Sequence, residues 1–151
     1  MYIDKRIYRG NWDEIKDILP DITKIKSLNL RNMGLTEFPK MSHITINGYF
    51  NCSYNQLKSF NDSPVVKGNF YCYDNKITSF KDCPDIGGYL FSDVHIFNII
   101  HRYSKNKKFS LLEAQVELYN KQDEKILEHI DKFPDLVAYI RMKELSKLLC
   151  A

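Results

Sequence analysis

The chain has 151 residues and a formal net charge of +3, and 44% of its residues are hydrophobic and 27% charged. This length suits one domain, or one small core with flanking caps, and the composition is ordinary for a soluble globular protein. The small charge argues against a nucleic-acid binder, which must neutralise many phosphates, and against a DNA mimic, which would be strongly acidic.

The N-terminal residues 1–21 are predicted to form a helical cap. Asn11 suits the N-cap of a short amphipathic helix that ends at Pro20. The apolar residues on one face of this helix are Trp12, Ile15, Ile18 and Leu19. The expected role of the cap is to shield the edge of the fold that follows.

Targeting segments are not recognisable in the sequence. The opening residues MYIDKRIYRGNW contain no long apolar segment and no small-residue cleavage site, so we predict no signal peptide. No stretch reaches about 18 consecutive apolar residues, so we predict no membrane span. The four cysteines form no CxxC pair, which fits a reducing compartment. We therefore expect a cytoplasmic protein.

Residues 22–100 are predicted to form a repeat domain. The segments 47–66 and 67–86 follow one frame, Phe-x-Cys-x-x-Asn-x-Leu/Ile-x-x-Phe, which begins at Phe50 and again at Phe70. The identical pairs are Gly48/Gly68, Phe50/Phe70, Cys52/Cys72, Asn55/Asn75, Ser59/Ser79, Phe60/Phe80, Asp62/Asp82 and Pro64/Pro84. Such self-similarity at a fixed period is typical of stacked repeats.

Weaker copies of the frame flank these two. One begins at Leu90 and extends to Ile100, with His95 in the Asn position, where we expect a structural hydrogen bond. Another begins near Leu28, with Met33 in the Asn position. Degraded terminal copies are expected, because the end repeats of a stack face a cap. The sequence thus predicts about four turns.

Within one turn, Phe50 and Cys52 are predicted to point inward from a short strand, since alternate side chains lie on opposite faces. Cys52 and Cys72 are accordingly expected to be small buried hydrophobes. The Asn55 side chain is expected to satisfy backbone groups where the chain leaves the strand. A turn of 20 residues is too short to include a full helix, so extended backbone is predicted on the side opposite the strand.

The frame resembles that of leucine-rich repeat proteins of the short bacterial type. The segment Leu57-x-x-Phe60-x-x-x-Pro64 is similar to their L-x-x-L-P-x-L-P motif. The phrase G-x-F-x-C-S-x-N-x-L-x-S-F, which begins at Gly48, is also similar to small leucine-rich repeat proteins of tailed phages. The resemblance implies an α+β fold: a curved solenoid whose parallel concave sheet binds another protein. The ubiquitin-ligase domain of some relatives would not fit in this chain.

Residues 101–151 are predicted to form a C-terminal helical cap. The segment 101–108 is predicted to be a basic, solvated linker, with a nucleic-acid patch over 102–108 as the alternative. Ser110 and Glu113 form a capping box that begins a helix of about 22 residues. Pro134 suits the first turn of a second helix. This helical pair is long for a cap, so residues 110–150 are also candidates for homo-oligomer formation or partner binding.

The outward positions of the strands are the predicted binding site. They are Ser27, Asn29, Arg31, Tyr49, Asn51, Ser53, Asn69, Tyr71, Tyr73, Tyr89, Phe91 and Asp93. Tyrosine supplies contact area at low entropy cost, and Asn and Ser supply adaptable hydrogen bonds, as in antibody paratopes. Alternatively, the aromatic residues stabilise the sheet as cross-strand pairs, or the C-terminal helices cover them.

No catalytic motif is recognisable. The histidines lie in no nucleophile motif, and the sequence contains no P-loop, G-x-G-x-x-G or H-E-x-x-H. We therefore predict a non-enzymatic interaction module without cofactor or metal. Its expected partner is a bacterial protein, and its expected role is that of a phage-encoded inhibitor of a host or defence protein. The alternatives are a self-assembling scaffold that uses the C-terminal helices and a nucleic-acid binder.

Overall fold

The computed structural model describes residues 2–3 and 17–150, which contain both helices and parallel sheets. One sheet consists of β1 (Tyr2–Ile3), β2 (Lys24–Ile25), β4 (Thr45–Ile46) and β6 (Val65–Val66). The other consists of β3 (Leu28–Asn29), β5 (Phe50–Asn51), β7 (Phe70–Tyr71) and β8 (Leu90–Phe91). The described helices are α1 (His95–Lys107), α2 (Leu111–Asn120), α3 (Glu124–Glu128) and α4 (Pro134–Leu149).

The repeated segments pair edge to edge. Phe50 is in register with Phe70, and Phe70 with Leu90, so each copy of the frame adds one parallel strand to the second sheet. The first sheet follows the same rule, with Ile46 in register with Val66. The sequence predicts one parallel sheet and an otherwise extended turn, so the second row of paired strands is a correction. The copies that contain Leu28, Phe50 and Phe70 each contribute one short strand to each sheet, whereas the last copy contributes β8 and an isolated bridge between Ile86 and Val66.

Two glycines allow the repeats to approach closely where the chain passes from the first sheet to the second. The Gly68 N–H donates to the Gly48 carbonyl oxygen at 3.0 Å, and the Gly88 N–H donates to that of Gly68 at 2.9 Å. A Cβ atom at Gly68 would lie 2.5 Å from the Gly48 oxygen. The glycines are therefore required by backbone contact between neighbouring repeats.

The frame ends earlier than the sequence predicts. Tyr54 and Asp74 occupy equivalent left-handed positions after their strands, with φ of 61° and 53°. The equivalent Val94 is β-branched, which disfavours that region, and it has φ of −88°. Helix α1 begins at the next residue, His95, which is exposed. The prediction of a structural hydrogen bond from His95 is therefore wrong.

Asn98, one turn into α1, replaces the missing asparagine. Its Oδ1 accepts hydrogen bonds from the Ser92 N–H at 3.1 Å and the Ser92 hydroxyl at 2.8 Å, and its Nδ2 donates to the Ser92 carbonyl at 2.9 Å. The backbone groups of Ser92, which follows the last strand β8, are thus bonded by a residue of α1 instead of by an asparagine of the repeat frame.

Phenylalanine rings form the centre of the core. Phe50 and Phe70 are buried with ring centroids 5.2 Å apart, and Phe60 lies 6.2 Å from Phe70 and 6.3 Å from Phe97. The core extends into the C-terminal region, because Phe133 lies 5.8 Å from Phe97. The prediction that Cys52 and Cys72 are buried is confirmed.

The C-terminal helices pack against the last repeat. The Phe80 N–H donates to the Lys132 carbonyl at 2.7 Å, and Phe133 is buried against the Phe80 ring at 5.6 Å. The linker prediction for 101–108 is wrong, since 101–107 lie in α1. α1 has apolar residues at helical spacing, and its buried apolar positions are Ile96, Phe97 and Ile100.

Ser110 as an N-cap and Pro134 in a first helical turn are confirmed, the reciprocal Glu113 bond of a capping box is not formed, and one helix is shorter than expected. The Ser110 hydroxyl accepts from the Glu113 N–H at 3.1 Å, and Pro134 lies in the first turn of α4. The predicted helix of about 22 residues is interrupted. Gln122 has φ of 57°, and Asp123 caps the separate helix α3 by accepting from the Lys125 and Ile126 N–H groups.

The predicted N-terminal helix lies mostly outside the described residues, since Asn11, Trp12 and Ile15 are not among them. Ile18 is exposed, and Leu19 is buried at the start of a short 3-10 helix, Leu19–Asp21. Among the described helices, none combines the length and apolar character needed to cross a membrane.

Candidate functional site

The second sheet places most of the predicted site residues on one surface. Side chains alternate along β5, so Phe50 and Cys52 are buried while Asn51 is half-buried on the other side. Half-buried positions are Asn29, Tyr49, Asn51, Asn69, Tyr71 and Phe91, and exposed positions are Arg31, Tyr73, Tyr89 and Asp93.

Two predicted site residues are not on this surface. Ser53 is buried, and its hydroxyl accepts a hydrogen bond from the Tyr73 N–H of the next repeat at 3.1 Å. The strand has ended by Ser53 and the chain is turning inward, so simple alternation no longer applies. Ser27 is buried as well, against Gly48, where the chain passes between the two sheets. Both serines are structural residues, and their inclusion in the binding site is corrected.

The aromatic side chains of the surface contact one another across the strands. Tyr71 and Phe91 are in register on neighbouring strands and stack with centroids 5.0 Å apart and planes 8° apart. Tyr49 meets the Tyr71 ring edge-on at 6.4 Å, and the Tyr73 and Phe91 ring centroids are 6.4 Å apart. We call Tyr49, Tyr71, Tyr73, Tyr89 and Phe91 the aromatic face.

The face is not sealed by the C-terminal helices. Tyr73 is 37% exposed and Tyr89 is 46% exposed. Tyr89 is partly flanked by Arg102 of α1, whose guanidinium carbon lies 6.0 Å from the ring centroid. The alternative in which the helices cover the tyrosines is therefore not what the structure contains.

An arginine lies near each end of the second sheet. Arg31 follows β3, the first strand, and its guanidinium carbon lies 4.6 Å from the Tyr54 ring centroid. Arg102 lies at the opposite edge, beside Tyr89. Tyr54 is 47% exposed, although the sequence does not predict it as a site residue. Tyr54 has a left-handed φ of 61°, and Asn32 has a left-handed φ at the equivalent position of the preceding copy. Asparagine is enriched in this conformation, so Asn32 is the sequence signal that could have identified the position.

The asparagines of the surface hold the backbone and the rings in place. Asn69 Nδ2 donates to the Tyr71 hydroxyl at 3.3 Å, and its Oδ1 accepts from the Tyr89 N–H at 3.0 Å. Asn51 Oδ1 accepts from the Ser53 N–H at 3.0 Å. Asp93 accepts from the Asp74 N–H. The two Asn69 bonds hold the Tyr71 hydroxyl and the Tyr89 backbone in place.

The deeper Asn55 organises the whole turn. Its Oδ1 accepts from the Met33 and Leu35 N–H groups at 2.9 and 3.0 Å. Its Nδ2 donates to the Leu30 and Cys52 carbonyls at 2.9 and 2.8 Å. The sequence-based prediction for this residue is confirmed. Asn55 connects two repeats, so it fixes the relative position of their outward side chains.

Metal-binding side chains are not clustered in the described part of the chain. No group of three or more His, Cys, Asp or Glu residues there is placed to hold a metal ion. Burial raises the pKa of the Cys52 and Cys72 thiols, which disfavours the reactive thiolate. These thiols are therefore core residues.

One cavity of about 390 Å³ lies between the last repeat and α1, and it is lined by residues that include His101, Lys105 and Asp85. His101 is buried, and burial lowers its pKa from the ordinary value of 6.5. Its Nδ1 has no hydrogen-bond partner among the described residues. The neutral imidazole is the form that this environment favours.

Comparisons with known proteins found no relative. No protein-family model matches the chain, and neither the curated proteins nor the solved structures include a significant match.

Proposed function

We propose that residues 22–100 form a solenoid of the leucine-rich repeat type and that the chain binds another protein through the aromatic face. The observation that carries the proposal is the continuous row of aromatic side chains across adjacent parallel strands, with Tyr73 and Tyr89 substantially exposed. A contiguous exposed apolar surface is unfavourable in water and commonly marks an interaction site.

The composition and rigidity of the surface support protein recognition. Tyrosine, phenylalanine and arginine are the residues enriched where binding energy is concentrated in protein interfaces. The ring of Tyr71 is held by Phe91 on one side and by the Asn69 amide, so it is already ordered before binding. Arg31 and Arg102 supply charge near the ends of the sheet.

The structural alternative explains only part of this arrangement. Cross-strand stacking accounts for Tyr71 and Phe91, which are half-buried and in register. It does not account for Tyr73 and Tyr89, whose rings are 37% and 46% exposed. Substitution of Tyr73 and Tyr89 therefore tests recognition separately from stabilisation of the sheet.

The proposed partner is a bacterial protein in the cytoplasm, and the proposed outcome of binding is inhibition of a host or defence function. The proposed partner and outcome rest on the similarity of the repeat motif that begins at Gly48 to the motifs of small phage-encoded repeat proteins. The nucleic-acid alternative is less well supported, because Arg102 contacts the Tyr89 ring and Lys105 donates to the Gly87 carbonyl. These two cations of α1 are already engaged within the chain.

The test is capture from a bacterial lysate with purified wild-type chain and a Tyr73→Ser/Tyr89→Ser variant. We expect the variant to lose at least about tenfold in recovery of the partner, since an aromatic hot-spot residue contributes about 2 kcal/mol or more. Leu127→Ser is the matched control, because Leu127 is 42% exposed and lies on α3, which contributes no residue to the aromatic face. Equal recovery by all three proteins would contradict the proposal.

A further inference from the structure

The cavity of about 390 Å³ between the last repeat and α1 shares no lining residue with the aromatic face. Its walls are the segment 84–87, which leads towards β8, and residues of the segment 101–111, which contains the end of α1 and the start of α2. A volume of this size is within the range of about 300–1,000 Å³ that is typical of small-molecule sites. It equals the volume of about a dozen water molecules, so an inorganic ion would occupy only part of it.

The end of α1 turns one polar face to this cavity. His101, Ser104, Lys105 and Lys108 follow the i, i+3, i+4, i+7 spacing, which places side chains on one side of a helix. Ser104 is buried, and its hydroxyl donates to the Phe109 carbonyl at 2.7 Å, so this donor is used within the chain. His101 and the two lysines are therefore the groups of this face that can bind a ligand.

The two lysines bring positive charge to the cavity. Lys105 donates to the Gly87 carbonyl, so its ammonium group bridges the two walls. An ammonium group has three N–H donors, and two of them remain after this bond. Ser110 and Leu111 also line the cavity, and they begin α2, where helical N–H groups lack intrahelical partners and the helix dipole is positive. This end of the cavity therefore favours an anionic group.

His101 supplies a separate observation that points to a ligand. The residue is only 3% exposed, and its Nδ1 has no hydrogen-bond partner among the described residues. Buried polar atoms in folded proteins are nearly always hydrogen-bonded, so an unbonded ring nitrogen beside a cavity indicates a partner from outside the chain. The neutral imidazole offers one donor and one acceptor to such a partner.

We propose that this cavity binds a small phosphate ester. The phosphate lies between Lys105, Lys108 and the start of α2, and the uncharged part of the ligand lies against His101 and Asp85. A phosphate monoester carries a charge of about −1.5 to −2 at pH 7, which two ammonium groups match better than they match the single charge of a carboxylate. The Asp85 carboxylate can only accept hydrogen bonds, so it favours an uncharged part with hydroxyl groups.

Calorimetry of the full chain with two probes, inorganic phosphate and ribose 5-phosphate, tests the site at pH 7.5. We expect both to bind, and ribose 5-phosphate to bind at least about tenfold more tightly, because its hydroxyl groups bond to His101 and Asp85. Equal affinities would contradict the assigned position of the uncharged part. A chain that binds neither probe at millimolar concentration would overturn the proposal, and water alone would then occupy the cavity.

Charge substitutions test the position of the phosphate. Lys105→Gln/Lys108→Gln is expected to weaken the binding of ribose 5-phosphate at least about tenfold, since charge-assisted bonds to phosphate are strong. Lys107→Gln/Lys125→Gln is the matched control, because both lysines are exposed, neither lines the cavity, and the net charge changes equally. Circular dichroism and thermal unfolding are expected to show that both variants are folded. An equal loss of affinity in the two variants would indicate non-specific attraction and would overturn the site.

Nitrogen NMR of the histidine rings tests the contact with His101. Addition of ribose 5-phosphate is expected to shift the His101 ring nitrogens saturably, whereas His43, whose Nε2 donates to the Leu19 carbonyl at 2.8 Å, should not respond. Tyr73→Ser should give the same result as wild type, so the outcome does not depend on recognition by the aromatic face. Unshifted His101 signals at a saturating concentration of the probe would overturn the assigned contact.

Discussion

The ring of Tyr71 stacks on the ring of Phe91 with the centroids 5.0 Å apart and the planes 8° apart, and the two residues are in register on β7 and β8. This contact connects the last two strands of the second sheet on its outer side. It also presents an ordered aromatic surface to solvent, because the neighbouring Tyr73 is 37% exposed. In the proposed function, stability and recognition therefore depend on adjacent residues of the same surface.

The Tyr71–Phe91 contact is expected to contribute to stability. A double-mutant cycle with Tyr71→Ala and Phe91→Ala should show a coupling free energy of about 0.5–1.5 kcal/mol in denaturant unfolding. Tyr71→Ala combined with Leu127→Ala on α3 should be additive within about 0.5 kcal/mol. Additivity in both cycles would mean that the stacked rings do not stabilise the sheet.

Asn55 is expected to be more important for folding than its equivalent Asn75. Asn55→Ala removes the hydrogen-bond partner of five backbone groups, so we expect a loss of about 3–5 kcal/mol in the free energy of unfolding. Asn75→Ala should cost about 1 kcal/mol less, since Asn75 is half-buried and water can replace its bonds.

Asn55→Asp distinguishes the donor bonds of Asn55 from its acceptor bonds. The carboxylate can still accept from Met33 and Leu35, but it cannot donate to the Leu30 and Cys52 carbonyls. We therefore expect Asn55→Asp to be destabilised comparably to Asn55→Ala. A variant as stable as wild type would show that the donor bonds are unimportant.

Gly68 is expected to tolerate alanine less well than Gly34. A Cβ atom at Gly68 would meet the backbone of Gly48 at 2.5 Å, so neighbouring repeats would have to separate, at a cost of about 3 kcal/mol or more. Gly34 has φ of 67° but no atom within 4 Å of a built Cβ, so Gly34→Ala should cost only about 1 kcal/mol. Thermal unfolding of the two variants measures the difference, and the reverse order would contradict the assigned role of Gly68.

Stability is expected to fall at acid pH in part because of His101. Its pKa in the folded chain is lowered by burial and, to a lesser extent, by Lys105, while contact with the Ile86 backbone and Asp85 oppose the shift. The unfolded chain therefore binds a proton on His101 more readily than the folded chain does. The stabilising contribution of His101 is present above pH 6.5 and is lost as the pH falls from there towards the lowered pKa of the folded chain. His101→Gln should reduce the pH dependence of unfolding between about pH 7.5 and 5. An unchanged profile would exclude His101 as its source.

The repeated frame is the part of the fold that the sequence predicts well. Identical spacing of Phe50 and Phe70 places them in register, and Asn55 forms the expected bonds to backbone groups. The Ser110 cap is predictable because a side chain three residues before Glu113 satisfies a free helical N–H. These features depend on local chemistry repeated at a constant period.

The departures have equally physical causes. Ile96, Phe97 and Ile100 suit either a repeat or the face of a helix, and the β-branched Val94 favours the helix by avoiding the left-handed turn. The strands of the first sheet, such as Thr45–Ile46, lie outside the repeated Phe-x-Cys frame, so the frame does not reveal them. The burial of Ser53 follows from a turn that a strand pattern does not reveal.

The most direct test of recognition by the aromatic face is site-specific photo-crosslinking in bacterial cells. A benzophenone side chain replaces Tyr73 or Tyr89 in one set of chains and Leu127 in the control. We expect one distinct heteromeric adduct from positions 73 and 89 and none of that size from position 127. No adduct from the aromatic face, or the same adduct from all three positions, would contradict the proposed binding surface.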